Sequence, residues 1–455
     1  MKVLFVRPKP SPETIGLQHL MIVEPLELEI LATLIKGKHE IRIVDMILEE
    51  RNISHFINDF DPGAICITGY ITHIPVIIQY CSTAKQINKN IITIVGGVHV
   101  EKFPEDINHE DIDYRVVRNA TRSFPRLLDF LTGESQFPAG ILKKDELQNE
   151  SVLPDYDFYL PEPDRSLTEK YRSKYFYVFH NKVALIKTSF GCPYHCKFCF
   201  CRKITGDKYY ARPLNEVIDE LSSIKEKEIY IVDDDFLISI SRTQEFIRLI
   251  KERGIRKKYL VYGRADFIAE NPELIKEFKE LGLRTIIVGL ESFEDIELTD
   301  FNKQTSSNIN KLAMAVLNKY KVDCYAAVII SPSWSFNDFK KAGDIMNSLG
   351  IKFVNLQPLT PLKGTELEIN EDALVINRND FAKWDLAHVT IRPEKMNLED
   401  FYKSILKLYL RIVLNPKNLI RHLKYPFHMQ LKMARGMRKV KKQYKVKIME
   451  ISDHA

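Results

Sequence analysis

Three cysteines fall within eight residues, in the run Gly191-Cys192-Pro193-Tyr194-His195-Cys196-Lys197-Phe198-Cys199. Thiolates at a Cys-x3-Cys-x2-Cys spacing can each ligate one iron of a 4Fe-4S cluster, which leaves the fourth iron open to a substrate or cofactor. The same loop allows a tetrahedral zinc site completed by His195 or Cys201. The chain holds seven cysteines, an odd number with three in one cluster, which argues for metal rather than a disulfide framework. Cys66, Cys81 and Cys324 lie in apolar patterns and read as small packed hydrophobes.

Charged residues end several other β-rich runs: Val232-Asp233-Asp234-Asp235-Phe236, Gly263-Arg264-Ala265-Asp266 and Gly289-Leu290-Glu291-Ser292, followed by Lys303. Carboxylates there can pair an ammonium group or ribose hydroxyls and an Arg a carboxylate, although each residue alone reads equally as a helix cap or a solvated turn. Nearer the N-terminus, Thr68-Gly69-Tyr70 and Gly96-Gly97-Val98-His99 also follow strand patterns, and paired glycines let backbone approach a ligand closely.

Such residues need strands to position them. Residues 2–7, 40–45, 64–68, 91–95 and 114–117 alternate with amphipathic stretches, the grammar of an open parallel sheet that binds ligands at its strands' carboxyl ends. Further βα units recur at 184–188, 229–232, 259–262, 285–289, 325–330 and 353–357, which predicts an open partial barrel with its site at the C-terminal mouth. The expected class is α/β: a doubly wound, Rossmann-like domain over residues 1–132, an irregular proline-marked linker over 133–182, a partial (β/α)6 TIM-like barrel over 183–370, and a helical region over 371–455. The spacing of Trp384 and His388, four apart, allows a shared helix face, but a packed Trp beside a surface His is the expected reading.

The 455 residues are 45% apolar and 28% charged, which suits packed cores and excludes a disordered or low-complexity polymer. No run approaches the roughly 18–20 apolar residues that span a bilayer. The opening strand meets Arg7 and Pro8 too soon for a signal peptide, so a cytoplasmic protein is expected. The net charge is +5, yet residues 417–447 carry eleven Lys and Arg and no acid, which leaves −6 for the remainder. This tail interleaves Leu419, Ile420, Leu423, Phe427 and Leu431 with its cations, a composition suited to an anionic membrane surface. A basic helix docked on the acidic remainder is the other reading.

The cysteine loop resembles that of the radical S-adenosylmethionine superfamily, Cys-x3-Cys-x-aromatic-Cys, with Phe198 as the aromatic. The resemblance implies that Cys192, Cys196 and Cys199 hold a 4Fe-4S cluster, and that Phe198, Asp234, Asp235, Arg264, Asp266 and Glu291 surround S-adenosylmethionine. The first domain resembles the cobalamin-binding domain of the B12-dependent radical enzymes through Pro25-Leu26-Glu27-Leu28 and through Gly96-Gly97-Val98-His99 with Pro104. That places cobalamin near Thr68, Gly69, Tyr70, Gly96, Gly97 and His99. Two departures stand out: residues 1–130 contain no Asp-x-His-x-x-Gly, and Arg118-Asn119-Ala120-Thr121 stands where the family often has Gly-Glu-Gly-Glu.

The activity so implied is methylation of an unactivated carbon through a 5′-deoxyadenosyl radical and methylcobalamin. A non-methylating cyclisation or rearrangement is the alternative, and a non-catalytic cobalamin sensor the remote one. A methylthiotransferase would need three more N-terminal cysteines, where only Cys66 and Cys81 stand. No single catalytic residue emerges. The implied partners are a small-molecule or lipid substrate and an electron donor such as flavodoxin or ferredoxin. Peripheral membrane contact through the basic tail belongs to the same expectation, and nucleic acid does not.

Overall fold

Val3, Leu4, Phe5 and Val6 are all fully buried, which a strand achieves only when its sheet is covered on both faces. In the computed structural model, which describes residues 1–453, this run is β1 (Lys2–Arg7). It is joined by β2 (Glu40–Asp45), β3 (Ala64–Thr68), β4 (Ile92–Gly96), β5 (Tyr114–Val116) and β6 (Ile141–Lys143). The sheet order is β2-β1-β3-β4-β5-β6, parallel except for β6. Leu4 and Val6 share one core with helices Ile53–Phe60 and Ile74–Ile87, while Val3 and Phe5 share another with Leu26–Ile35 and Ala120–Leu131. This is the doubly wound arrangement expected from the sequence. Cys66 and Cys81 are buried in these cores, where burial pushes both thiols far above their ordinary range.

The stretch expected as a linker is mostly part of this first unit, which comprises Met1–Thr14, Glu24–Lys174 and Asn379–Asp385. β6 adds the sixth strand, and the following segment is tied down by buried charge. Glu24 and Glu29, both with fully buried side chains, meet Arg172, with Arg165 3.6 Å from Glu24. Much of this stretch is irregular backbone, and the ion cluster that orders it is formed by residues far apart in sequence.

The second unit comprises Ile15–Val23, Tyr175–Arg378 and the chain from Leu386 on. Its sheet runs β7 (Val183–Ile186), β8 (Glu228–Ile231), β9 (Lys258–Gly263), β10 (Leu283–Glu291), β11 (Asp323–Ile330), β12 (Phe353–Pro358), parallel and in sequence order, a six-stranded partial barrel. A hairpin at 176–181 seals the N-terminal end. Tyr177 inserts against Tyr230 and Tyr325, and His180 lies 2.9 Å from Glu228 and 2.8 Å from Thr285. The Tyr409 hydroxyl accepts from Leu356 N–H at 2.9 Å and pairs with Leu356 O at 3.1 Å, capping the edge strand β12. Cys324 is buried in β11.

The C-terminal region is helical only from Leu398: Leu398–Val413, Pro416–His422 and Phe427–Asp453. Residues 371–397 hold two 3-10 turns and bends, so Trp384 and His388 do not share a helix face. Trp384 is buried, as expected, and so is His388, in place of the surface position expected for it.

Arg115, 1% exposed, donates to the carbonyls of Pro104, Lys143 and Glu146 at 3.0, 2.8 and 2.6 Å. Arg115→Met keeps the aliphatic stem and removes three hydrogen bonds to carbonyls. It should destabilise the protein by about 2–4 kcal/mol in urea unfolding; an unchanged midpoint would refute this role.

Candidate active site

Asp233 sits one residue beyond Val232 at the C-terminal end of β8 and is 1% exposed. Its carboxylate accepts the backbone N–H groups of Thr188 and Ser189 at 2.6 and 3.0 Å and both their hydroxyls, at 2.5 and 2.7 Å. Asp234 accepts from Gly191 N–H at 2.9 Å and lies 3.7 Å from Lys187. Two strand-end carboxylates therefore hold the entry to the cysteine loop. Gly191 is required there: its φ is +77°, and a Cβ would stand 2.1 Å from the Lys208 carbonyl.

The far side of the loop is clamped by the segment after helix Asp295–Asp300. Lys197 N–H donates to Phe301 O at 3.0 Å and Asn302 Nδ2 to His195 O at 2.7 Å. Phe198 packs on Phe301 at 5.6 Å between ring centres, with Lys303 Nζ 5.8 Å over its ring.

Burial pushes the Cys192 thiol up to about 12 and raises Cys196. Cys199 is held below the ordinary thiol value by hydrogen bonds from Cys201. Iron binding displaces such protons.

Around the loop stand the other charged strand ends. Arg264 pairs with Asp266 at 2.7 Å, donates to Lys303 O at 2.9 Å, and lies 3.7 Å over the Tyr194 ring. Lys303 pairs with Glu291 at 3.0 Å. Glu291 adopts a left-handed backbone, φ +58°, where the β10–β11 register shifts. Asn310, fully buried, fixes that strand end by donating to the carbonyls of Leu290 and Ser292, both at 2.9 Å. A Cβ at Gly289 would meet Glu291 Oε1 at 2.2 Å and Lys303 Nζ at 2.8 Å, so any larger residue there would displace the ends of the pair.

Asp235 differs from its two neighbours. It is 3% exposed and neither carboxylate oxygen has a hydrogen-bond partner, an arrangement that a ligand ammonium or hydroxyl would satisfy. Burial raises its pKa to about 7 despite Arg264 and Lys303 nearby. The loop thus offers three thiols for iron, with cations and an unpartnered acid beside them for a zwitterionic ligand. Asp233, Tyr194 and Asn310 were not singled out individually from sequence. Asp233 and Tyr194 lie inside quoted motifs, whereas Asn310 carries no local signal.

In the first unit, the loops after β3 and β4 touch. A Cβ on Gly97, φ +109°, would lie 2.6 Å from Gly69 O and 2.8 Å from Thr68 Oγ1, so Thr68, Gly69, Gly96 and Gly97 form one locus at the sheet's carboxyl edge. Tyr70 is 66% exposed beside it. His99 is carried on helix Val98–Lys102, buried, with Nε2 2.9 Å from Asp106 and its ring between Phe103 and Phe381, so it is already engaged within the fold. Arg118-Asn119 is occupied as well, by Glu150 and by the backbone of Asp155 and Asp157.

Gly289→Ala should weaken S-adenosylmethionine binding to the reconstituted protein at least about tenfold, about 1.4 kcal/mol, with iron content unchanged, as read by calorimetric titration. In cofactor-free protein the Asp235 carboxyl keeps its proton to about pH 7, whereas an unfolded Asp releases it near 3.8. The folded state then binds more protons, and stability falls as pH rises through that window. Asp235→Asn should narrow the gap between urea midpoints at about pH 5 and about pH 8, leaving the share of Glu101, whose carboxyl burial also raises to about 7; an unaltered gap would assign all of it to other groups.

Residues 14–128 match the B12 binding domain family and residues 186–355 the Radical SAM superfamily. The chain is 29% identical over 419 residues to a hopanoid C-3 methylase of Methylococcus capsulatus, covering 90% of this chain and 79% of that protein. It is 23% identical over 423 residues to a bacteriochlorophyllide d C-8(2)-methyltransferase of Chlorobaculum tepidum, covering 87% and 89%. It is also 23% identical over 453 residues to an anaerobic magnesium-protoporphyrin IX monomethyl ester cyclase of Rubrivivax gelatinosus, covering 94% and 79%. The structure of the cobalamin-dependent S-adenosylmethionine radical enzyme OxsB, with aqua-cobalamin and S-adenosylmethionine bound, aligns with a TM-score of 0.69 at 14% identity, over 97% of this chain and 71% of that one. The cysteine loop at the barrel mouth and the doubly wound sheet before it agree with these matches: the chain belongs to the cobalamin-dependent radical S-adenosylmethionine enzymes, whose cofactors are a 4Fe-4S cluster, S-adenosylmethionine and cobalamin.

Proposed function

We propose that the enzyme methylates an unactivated carbon of a small-molecule or lipid substrate. The observation that carries this reading is the presence in one chain of a complete cysteine loop and a B12-binding domain, with methylases among its relatives. When bound, the cluster and S-adenosylmethionine supply a 5′-deoxyadenosyl radical that removes a hydrogen atom from the substrate, and cobalamin supplies the methyl group.

The protein's part is to hold and orient. Cys192, Cys196 and Cys199 ligate the cluster, while Asp233 and Asp234 fix the loop that carries them. Arg264 and Lys303 face the carboxylate of S-adenosylmethionine, and Asp235 and Glu291 its ammonium and hydroxyl groups. Asp266 orients Arg264. Thr68, Gly69, Gly96 and Gly97 admit the corrinoid by close backbone approach, with Tyr70 against its exposed side. The relatives named for hopanoids, bacteriochlorophyllide and protoporphyrin suggest an apolar ring system as substrate. Electrons arrive from a flavodoxin- or ferredoxin-type carrier. The protein works in the cytoplasm, with its basic tail at a membrane surface.

Radical ring closure without methyl transfer is the second reading, favoured by the cyclase relative that spans 94% of the chain. Product analysis separates the two. Anaerobically reconstituted protein, given cobalamin, reductant and the polycyclic substrates of its relatives, should form 5′-deoxyadenosine and S-adenosylhomocysteine in equal amounts with each methylated product. 5′-Deoxyadenosine without S-adenosylhomocysteine would overturn methyl transfer. Cys196→Ala should abolish both products together with bound iron.

A further inference from the structure

Between residues 414 and 431, six large apolar side chains stand in solvent: Leu414, Leu419, Ile420, Leu423, Phe427 and Leu431, from 41% to 72% exposed. Soluble monomers rarely expose apolar side chains so densely. The segment is well attached through its other face. Asn418 donates to Ile351 O and Ile412 O at 3.0 and 2.9 Å, Lys424 lies 2.8 Å from Asp323, and Tyr425 stacks on Phe179 at 4.0 Å. Met429 and Met433 are buried with Phe176. What faces water is therefore the face left over after docking.

Charge continues this face along helix Phe427–Asp453. Arg435, Arg438, Lys442 and Lys445 follow Leu431 at three- and four-residue steps, all exposed, which places them in one stripe. Residues 401–449 contain fourteen Lys and Arg and no Asp or Glu. A nucleic acid or an acidic protein would pair the stripe and leave the aliphatic groups without an apolar partner. A bilayer of anionic lipid answers both, taking the aliphatic groups below its headgroups and the cations at them.

We propose that this face docks the enzyme on an anionic lipid surface as an anchor, not as the entrance for substrate. The location decides the second half of that statement. Asp323 opens β11 and Phe353 opens β12, so the apolar patch lies at the N-terminal end of the barrel strands. The cysteine loop lies at their C-terminal end, about 25 Å away along an eight-residue strand. Docking through this apolar patch thus inserts the N-terminal end of the barrel, not its mouth, into the lipid, while the cationic stripe lies along the headgroups. The inference rests on the membrane reading of the tail and is independent of methyl transfer.

The test is co-sedimentation of the full-length reconstituted protein with vesicles of phosphatidylcholine alone and of an equimolar mixture with phosphatidylglycerol. Binding is expected to the mixture and to fade with salt. Arg438→Gln with Lys442→Gln should weaken it about fivefold for each cation removed. Leu423→Ser with Phe427→Ser should weaken it at least about tenfold. Cobalt and iron contents and melting temperature should not change in either variant, since all four side chains are exposed. Formation of 5′-deoxyadenosine from S-adenosylmethionine should be the same with and without vesicles. No binding, equal binding to neutral vesicles, unchanged binding in both variants, or self-association lost in the same variants would each overturn the anchor. Vesicle-dependent 5′-deoxyadenosine formation would overturn its separation from the mouth.

Discussion

One buried carboxylate carries the geometry of the barrel mouth. Asp233 gathers four hydrogen bonds from Thr188 and Ser189, tying the end of β7 to the end of β8 where the cysteine loop departs. Burying a carboxylate is costly and raises its pKa, and only a full set of short, charge-assisted hydrogen bonds offsets that cost. The loop inherits its starting direction from this arrangement. Asp234 then sets the next residue, Gly191, and the clamp from Phe301 and Asn302 sets the far side. The three thiols are therefore carried on a backbone fixed at both ends, which is what assembly of a cluster in a defined orientation requires.

The remainder of the barrel protects that mouth. The 176–181 hairpin packs the N-terminal end with aromatic rings, and Tyr409 bonds the edge of β12. One strained residue lies at the mouth itself. Glu291 sits in a left-handed conformation, and Asn310 holds it there by engaging the carbonyls on either side. Gly289 leaves room for the Glu291–Lys303 pair, whose ends a Cβ there would displace.

The first unit solves a different problem. Its sheet is apolar on both faces and needs helices on both, which alternation along β1 supplies. The loops after β3 and β4 come within contact of each other, leaving Tyr70 as the exposed aromatic at that edge. The segment expected as a linker becomes structure because Arg165 and Arg172 neutralise Glu24 and Glu29, a buried set in which removal of either partner would leave an uncompensated charge.

The sequence by itself determined the two sheets, the six-unit count of the barrel and the three-cysteine loop at its mouth. Each of these rests on local information: the two-residue period of strands, the punctuation between them, and three cysteines within one loop. Only the tertiary structure decided how three consecutive aspartates divide their work. Asp233 and Asp234 order backbone and Asp235 stays unpartnered, a difference set by side-chain direction and burial at a strand end and not by residue type. Likewise it placed His99 against Asp106, took Trp384 and His388 off any shared helix face, and turned part of the tail outward. Those outcomes depend on which distant surfaces meet, and pairings across long stretches of chain leave no period in the sequence to read.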